Sequence, residues 1–508
     1  MKVSKVSYSY IVSFLVVILI LSVFHYQYPL DKPVIDLNTK IVSECTLTDI
    51  CVEINPNVEL VEVIFYLAGW NNFSNSTYQY VRDVNNYFKG YKDHAAVKLA
   101  KKAIKKGLIY DAIPKFALEL NSEEWSDYIV QRVNGDRNLL NKLAKAIGEF
   151  AKETNFTKFY NLHKEFYSAQ IERFTKEHPT YKELPKFEEA FFGEKARGWH
   201  FVLQPLQLYY SYAGSFNRTI YGFIGICAFF NKTPIYCNAS AHEFAHSFVN
   251  PAVSEYYREF RAYSDMFSPV KDVMLAMGYS NWHTYLEETL VGAFEAYYIL
   301  KTRGNQSSER FIKEQEALGF YLVRRVYQAY LLDYLPNRDK YPTFRSFMPE
   351  LAKLMGRWYR ESFWKDVSPE PTIEVVFLAF KTEGVKVYAE NDVSKKYVKD
   401  YVEKLKKAGF NAELTDKLEG GNLIVIVTIN SSIFDKLNKY VDMKGKEYAR
   451  NIIVVEALKN PWENGFVLLI AGTPNAFNEK TTTNLGKEVL RYHYFIYNKD
   501  LKSIVEFG

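Results

Sequence analysis

The chain has 508 residues, is 48% hydrophobic and 17% aromatic, and carries a formal charge of +5. That much apolar side chain fills a sizeable core in two or three domains, which excludes a disordered tail protein. A charge this small, spread without a long basic tract, gives no footprint for nucleic acid.

At the amino terminus, Met1 to Ser9 carries Lys2 and Lys5, and a largely apolar run follows from Tyr10 to Phe24. A positive segment followed by an apolar one predicts that residues 1–30 enter or cross a membrane. The next residues, His25, Tyr26, Gln27 and Tyr28, are all bulky and offer no small-residue cleavage site. An uncleaved anchor is therefore favoured over a removed signal, with the body at the cell surface, or secreted if the segment is cleaved. The four cysteines fall into two close pairs, Cys45 with Cys51 and Cys227 with Cys237, which suits two local disulfides in an oxidising compartment. Asn-x-Ser/Thr sites at Asn72, Asn75, Asn155, Asn217, Asn231, Asn238, Asn305 and Asn430 predict an exported glycoprotein, although a glycan at Asn238 would crowd the site described below.

Residues 31–56 read as an irregular stalk. Helical patterns follow over Asn57 to Ala68 before Gly69, Val81 to Phe88, Ala95 to Lys106 before Gly107, Ala112 to Leu120, and the charged stretch from Asn138 to Glu177. Thr219 to Phe229 is rich in β-branched and aromatic residues, and Pro234 to Cys237 is a short partner after a turn, so a hairpin stapled by Cys227 and Cys237 is predicted. Such a hairpin either pairs with an extended substrate or only supports the element that follows.

That element is residues 238–251, in which His242 and His246 stand four apart with Glu243 after the first. On a helix the two imidazoles stack one turn apart and can share a metal, while the carboxylate beside the open position can take a proton from water. Ser240 or Asn238 is placed to cap the helix and Pro251 to end it. Zinc (Zn2+) is the metal this HExxH pattern selects. Helical patterns resume over Val253 to Met266, Val270 to Met277, Trp282 to Lys301, Ser307 to Asp333 and Arg345 to Arg360. The Ser368-Pro369-Glu370-Pro371 segment then marks a linker, closing a domain over 57–368.

A second domain is expected over 372–508. Thr372 to Phe380, Asn422 to Ile429, Asn451 to Val455 and Phe466 to Ala471 read as strands, with helices over Asp392 to Ala408 and Thr481 to Tyr494. Alternating strands and helices predict an α/β layered domain with a partly parallel sheet. Its loops lack a phosphate-binding glycine pattern.

The metal needs a third protein ligand. Val249 and Ala252 stand where a metzincin has Gly and His, so that class is excluded. On the Trp282 to Lys301 helix, Leu286, Leu290, Ala293 and Tyr297 form an apolar stripe and leave Glu287 and Glu288 on neighbouring faces. One of them is expected to face the metal.

The motif with its downstream glutamate helix resembles the gluzincin metallopeptidases, to which thermolysin and aminopeptidase N belong. That resemblance implies an α+β fold, a mostly helical zinc-peptidase domain with a small sheet, joined here to the C-terminal α/β layered domain. It makes Glu288 the third ligand beside His242 and His246, and Glu243 the catalytic base, with Glu287 in a place where the family often has Asn. It also implies a Tyr or His that stabilises the oxyanion, for which His283, Tyr209, Tyr210, Tyr212, Tyr256 and Tyr257 are candidates. Residues from about Pro56 to Leu354 are similar, more closely, to an uncharacterised prokaryotic family of exported HExxH proteins, through Val58 to Gly69, Tyr91 to Lys101, Gly198 to Asn217, His242 to Pro251 and Phe344 to Leu351. The expected function is a zinc peptidase acting outside the cell on peptide or protein substrates. The alternatives are a non-catalytic envelope or binding protein that keeps a metal site, and a zinc amidase on a non-peptide substrate. His94 and His200 are expected to be structural.

Overall fold

Asn55 starts the first long helix as the sequence suggests: its side chain accepts from the backbone N–H groups of Asn57 and Val58, and Pro56 occupies the first turn of Pro56–Leu67. The computed structural model describes residues 37, 39–47, 49–70, 78–230, 233–237, 241–367, 371, 373–390, 395–428, 431–438, 452–472 and 504–506. The N-terminal anchor, the cap at Asn238 or Ser240, the linker at 368–370 and the helix expected over Thr481 to Tyr494 lie outside those residues. Among the described residues no helix is long and apolar enough to cross a membrane. Of the glycosylation sites, Asn155, Asn217 and Asn305 are described, and all three are exposed.

The chain divides into two compact units, residues 1–186 with 196–244, and residues 187–195 with 245–508. The first holds a mixed sheet of strands β1 (Val42–Cys45), β2 (Ile50–Ile54), β3 (Gly198–Leu208), β4 (Ser211–Phe216), β5 (Thr219–Phe230) and β6 (Thr233–Tyr236). Its order is β1-β2-β3-β5-β4, with β6 also paired to β5. Strands β2, β3 and β5 run parallel, and β4 and β6 lie antiparallel to β5, so the predicted hairpin is present. Both predicted disulfides are formed, Cys45–Cys51 across the β1–β2 hairpin and Cys227–Cys237 at the end of β5.

The stretch expected to be an irregular stalk therefore contains two strands of this sheet. β1 is mostly exposed and short, so it shows no alternation, while all five residues of β2 are buried and read as a fragment of core. Strand β3 was not legible either, because Pro205 interrupts it; the ladder to β5 shifts register between Leu203 and Leu208, which is how a strand accommodates a proline. The expected 138–177 stretch is three helices, Arg137–Glu153, Phe156–Leu162 and Lys164–Glu177. A left-handed Asn155 makes the first break.

Phe244, in the first turn of the motif helix, packs on this sheet. A Cβ on Gly222 of β5 would meet the Phe244 ring at 2.3 Å, and Trp199 and Phe201 of β3 pack edge-on against the same ring at 5.4 and 5.2 Å. The glycine is required by that close approach.

The motif helix runs over Ala241–Phe260, with residues 241–244 counted in the first unit and the rest in the second, and it passes straight through Pro251, which was expected to end it. Pro251 removes one backbone donor, but Val249, Ala252 and Val253 are wholly buried around it, and that packing outweighs a penalty of about 3 kcal/mol. The other helices include Lys271–Ala276, Trp282–Arg303, Asn305–Ala317, Val323–Ala329 and Phe344–Glu361. The unit also holds a second sheet of β7 (Val385–Ala389), β8 (Ala412–Thr415), β9 (Leu423–Thr428), β10 (Ile452–Lys459), β11 (Phe466–Gly472) and β12 (Ile504–Glu506), in the order β12-β10-β11-β9-β7-β8. Strands β11, β9, β7 and β8 are parallel neighbours and β10 is antiparallel to β11, the partly parallel sheet that was predicted.

One element there is corrected in kind. Residues 373–383, read as a strand, form the helix Ile373–Glu383. It packs against β10 and β11 and against helix Lys271–Ala276. Val375, Val376, Phe377, Ala379 and Phe380 are consequently all buried. A helix covered on more than one side loses its polar stripe and looks like a buried strand.

Candidate metal centre

Two helices carry the donors. Ala241–Phe260 presents His242 and His246 one turn apart, and Trp282–Arg303 presents Glu288. The second helix is fixed at its start by Asn281, whose side chain accepts from the N–H of Thr284 at 3.1 Å. Its predicted apolar stripe is real, with Leu286, Leu290 and Ala293 fully buried, and this rotation turns Glu288 toward the histidines.

One ligand atom from each of His242, His246 and Glu288 lies within 4.8 Å of the other two, and all three residues are half-buried. Nε2 of His246 is 3.6 Å from Glu288 Oε1. Its other nitrogen, Nδ1, is 3.0 Å from Asn250 Oδ1 on the next turn. An amide oxygen only accepts, so Nδ1–H donates and the Nε2 lone pair is left facing Glu288. Two imidazoles and one carboxylate are the donor set of many catalytic zinc sites, in which ligand atoms sit about 3.3 Å apart around the ion. The residues fit zinc in kind and nearly in spacing.

Glu287, the other candidate, turns elsewhere. Its Oε2 is 3.5 Å from Nδ1 of His283, four residues earlier, and hydrogen bonding to that carboxylate raises the His283 pKa. His283 also reaches Ser254 Oγ at 3.5 Å and packs edge-on against Tyr257 at 4.6 Å. The carboxylate expected in the family's Asn place is thus held by a histidine outside the cluster.

Glu243 occupies the first turn of the motif helix and is half-buried. Among the oxyanion candidates, Tyr212 on β4 lies close enough to feel the Glu243 charge. The Tyr212 hydroxyl is buried with no hydrogen-bond partner among the described residues. Burial pushes its pKa well up, and Tyr210, Asp111, Tyr110 and Glu243 add to the shift in that order. Tyr209 and Tyr210 are exposed, whereas His94 and His200 are engaged in hydrogen bonds. His94 Nδ1 accepts from the Ala96 N–H at 3.1 Å to start a helix, and His200 Nδ1 sits 2.8 Å from Glu53 Oε2 across β2 and β3. Asn250 was missed; its signal was the four-residue spacing after the second ligand, where a short amide can reach the imidazole back along the helix.

The chain belongs to the family described as a domain of unknown function, DUF4932, which it matches over residues 50–354, more than half of its length. The match runs from β2 into helix Phe344–Glu361 and so includes His242, Glu243, His246 and Glu288. No curated protein and no solved structure matches the chain.

Proposed function

We propose that the protein is a zinc-dependent peptidase acting outside the cell on peptide or protein substrates, with the site chemistry of the gluzincins. The observation that carries this reading is the convergence of His242 and His246 from one helix with Glu288 from another within 4.8 Å, with a carboxylate, Glu243, directly after His242. A structural zinc site closes with four protein ligands and needs no base; here the cluster among the described residues has three donors and a glutamate beside them. The two disulfides fit an oxidising compartment outside the cell.

His242, His246 and Glu288 would hold the ion, which when bound polarises water and the substrate carbonyl. Asn250 keeps the proton of His246 on Nδ1, so Nε2 serves as donor. Glu243 takes the proton of the attacking water and returns it to the nitrogen of the leaving amine. Tyr212, kept protonated by burial, is the hydroxyl available to donate to the oxygen on which charge develops.

A peptide-library digest by the zinc-loaded full chain tests this. The parent is expected to hydrolyse library members, and Glu243→Gln to keep its zinc while losing activity by roughly 10²–10⁴-fold. A Glu243→Gln protein as active as the parent would end the peptidase reading.

A further inference from the structure

Four aromatic side chains gather in the first unit near the free edge of its sheet. Trp70 follows the Pro56–Leu67 helix, Tyr110 lies in the turn before Ala112–Leu118, Tyr210 directly precedes β4, and Tyr212 is the second residue of β4. Tyr110 is 5.1 Å from Trp70, 5.8 Å from Tyr210 and 6.4 Å from Tyr212, all edge-on, and Tyr210 stacks on Tyr212 at 6.1 Å. Despite these mutual contacts, Tyr110 and Tyr210 are each 42% exposed. A set of rings packed among themselves and still open to water is a surface prepared for another apolar group.

The backbone beneath the rings is held in an uncommon conformation. Tyr110 and Tyr209 have φ of 54° and 64°, the left-handed region that residues with bulky side chains seldom adopt. Strain of this kind persists where surrounding structure over-determines it and clusters at ligand sites. The support beside Tyr110 is dense. Asp111 is paired with Lys115 at 2.7 Å and with Arg132 at 3.8 Å, accepts from the Tyr128 hydroxyl, and Arg132 also donates to the Ile109 carbonyl at 3.2 Å. Lys115 in turn fills the space over Gly214 of β4, where a Cβ would meet its side chain at 2.3 Å.

Strand β4 ends the sheet order, and it pairs Tyr212 with Phe223 and Ala213 with Gly222, the glycine on which Phe244 rests. The rings are thereby tied, through one strand pair, to the turn of helix that carries Glu243.

Resting on the peptidase reading above, we propose that Tyr110 and Tyr210, backed by Trp70 and Tyr212, form a subsite that takes an aromatic or large aliphatic side chain of the peptide substrate close to the scissile bond. Aromatic and aliphatic groups gain from offset or edge-on packing on such rings, and a pocket contact of this size discriminates by roughly 10–200-fold. Asp111 is paired with both Lys115 and Arg132, so no unpaired carboxylate from this cluster faces the rings.

The test is a set of peptides of one sequence with a single varied residue near the cleaved bond, digested by the zinc-loaded full chain. The parent is expected to prefer Phe, Tyr, Leu or Met over Gly and Ser at one fixed position by roughly 10–100-fold in kcat/KM. Tyr110→Ala with Tyr210→Ala should bring that ratio down at least about tenfold, while Tyr110→Phe with Tyr210→Phe should hold it, since the ring and not the hydroxyl makes the contact. Tyr210→Lys, which puts a positive charge in place of the exposed ring, should shift the preference toward Asp and Glu. A parent that cleaves peptides with no preference, or alanine and lysine variants with the parent's preference, overturns the subsite and leaves the peptidase reading standing. A parent that cleaves no peptide overturns both.

Discussion

Glu59 and Glu62 share a face of helix Pro56–Leu67, and Glu287 and Glu288 stand side by side on helix Trp282–Arg303, yet the two pairs sit in opposite surroundings. The first pair is wholly buried. Glu59 accepts from the Tyr80 hydroxyl, which also lies 2.8 Å from the Tyr167 hydroxyl, and burial pushes the Glu59 pKa from 4.5 up to about 7 against that hydrogen bond. Glu62 is raised well above 4.5, first by burial and then by Glu59, with the backbone of Leu206 opposing. Leu206 lies where β3 shifts register against β5. The second pair has water and histidines. Glu288 and His246 are each 17% exposed by side chain. Burial and neighbours, and not the presence of two glutamates, decide whether a carboxyl pair holds protons or a cation.

The contrast can be broken from the metal side first. Glu288→Gln removes a charged donor and should lower zinc affinity by more than any other single acidic change, while Glu287→Gln should change it little, because Glu287 is spent on His283. Competition with a zinc chelator measures both, and release of zinc by Glu287→Gln alone would reverse the ligand assignment. Asn250→Ala should weaken zinc binding by roughly 10–100-fold, the usual cost of losing the group that orients a ligand histidine. Affinity equal to the parent's would show that His246 is oriented by something else.

From the buried side the expected effect is smaller. A carboxyl whose folded pKa is raised binds more protons folded than unfolded between 4.5 and about 7, so its contribution is complete below 4.5 and declines as pH rises through that window. Glu62→Gln keeps the shape of the side chain but has no charge to bury. It should melt a few degrees above the parent at pH 8, at about 2–4 °C per kcal/mol, and close to it at pH 5. An equal offset at both values would argue against the titration.

How much of this was legible follows from where the determinants sit. His242, Glu243 and His246 are a fixed spacing on one helix, and the apolar stripe of Leu286, Leu290 and Ala293 is a local pattern, so donors and helix were both readable in the sequence. Choosing between Glu287 and Glu288 needed tertiary information, although His283 four residues before Glu287 was a local sign of where that carboxylate would go. The chain through Pro251 and residues 373–383 were misread for one reason: both are helices packed on several sides, where tertiary burial overrides the proline penalty in one case and erases the amphipathic period in the other. Strands β3 and β4 depend on a register shift and a free edge that only the assembled sheet displays. The tyrosine shelf joins residues from three separate segments, and among forty tyrosines no spacing marks these out.

The central claim is that His242, His246 and Glu288 bind one zinc ion in a site open to substrate. Elemental analysis of the purified full chain, dialysed against trace zinc, reads it directly. The expected result is close to one zinc per chain in the parent and in Glu243→Gln, and none in His246→Ala. A folded parent that holds no zinc, or a His246→Ala protein that holds as much as the parent, would contradict it.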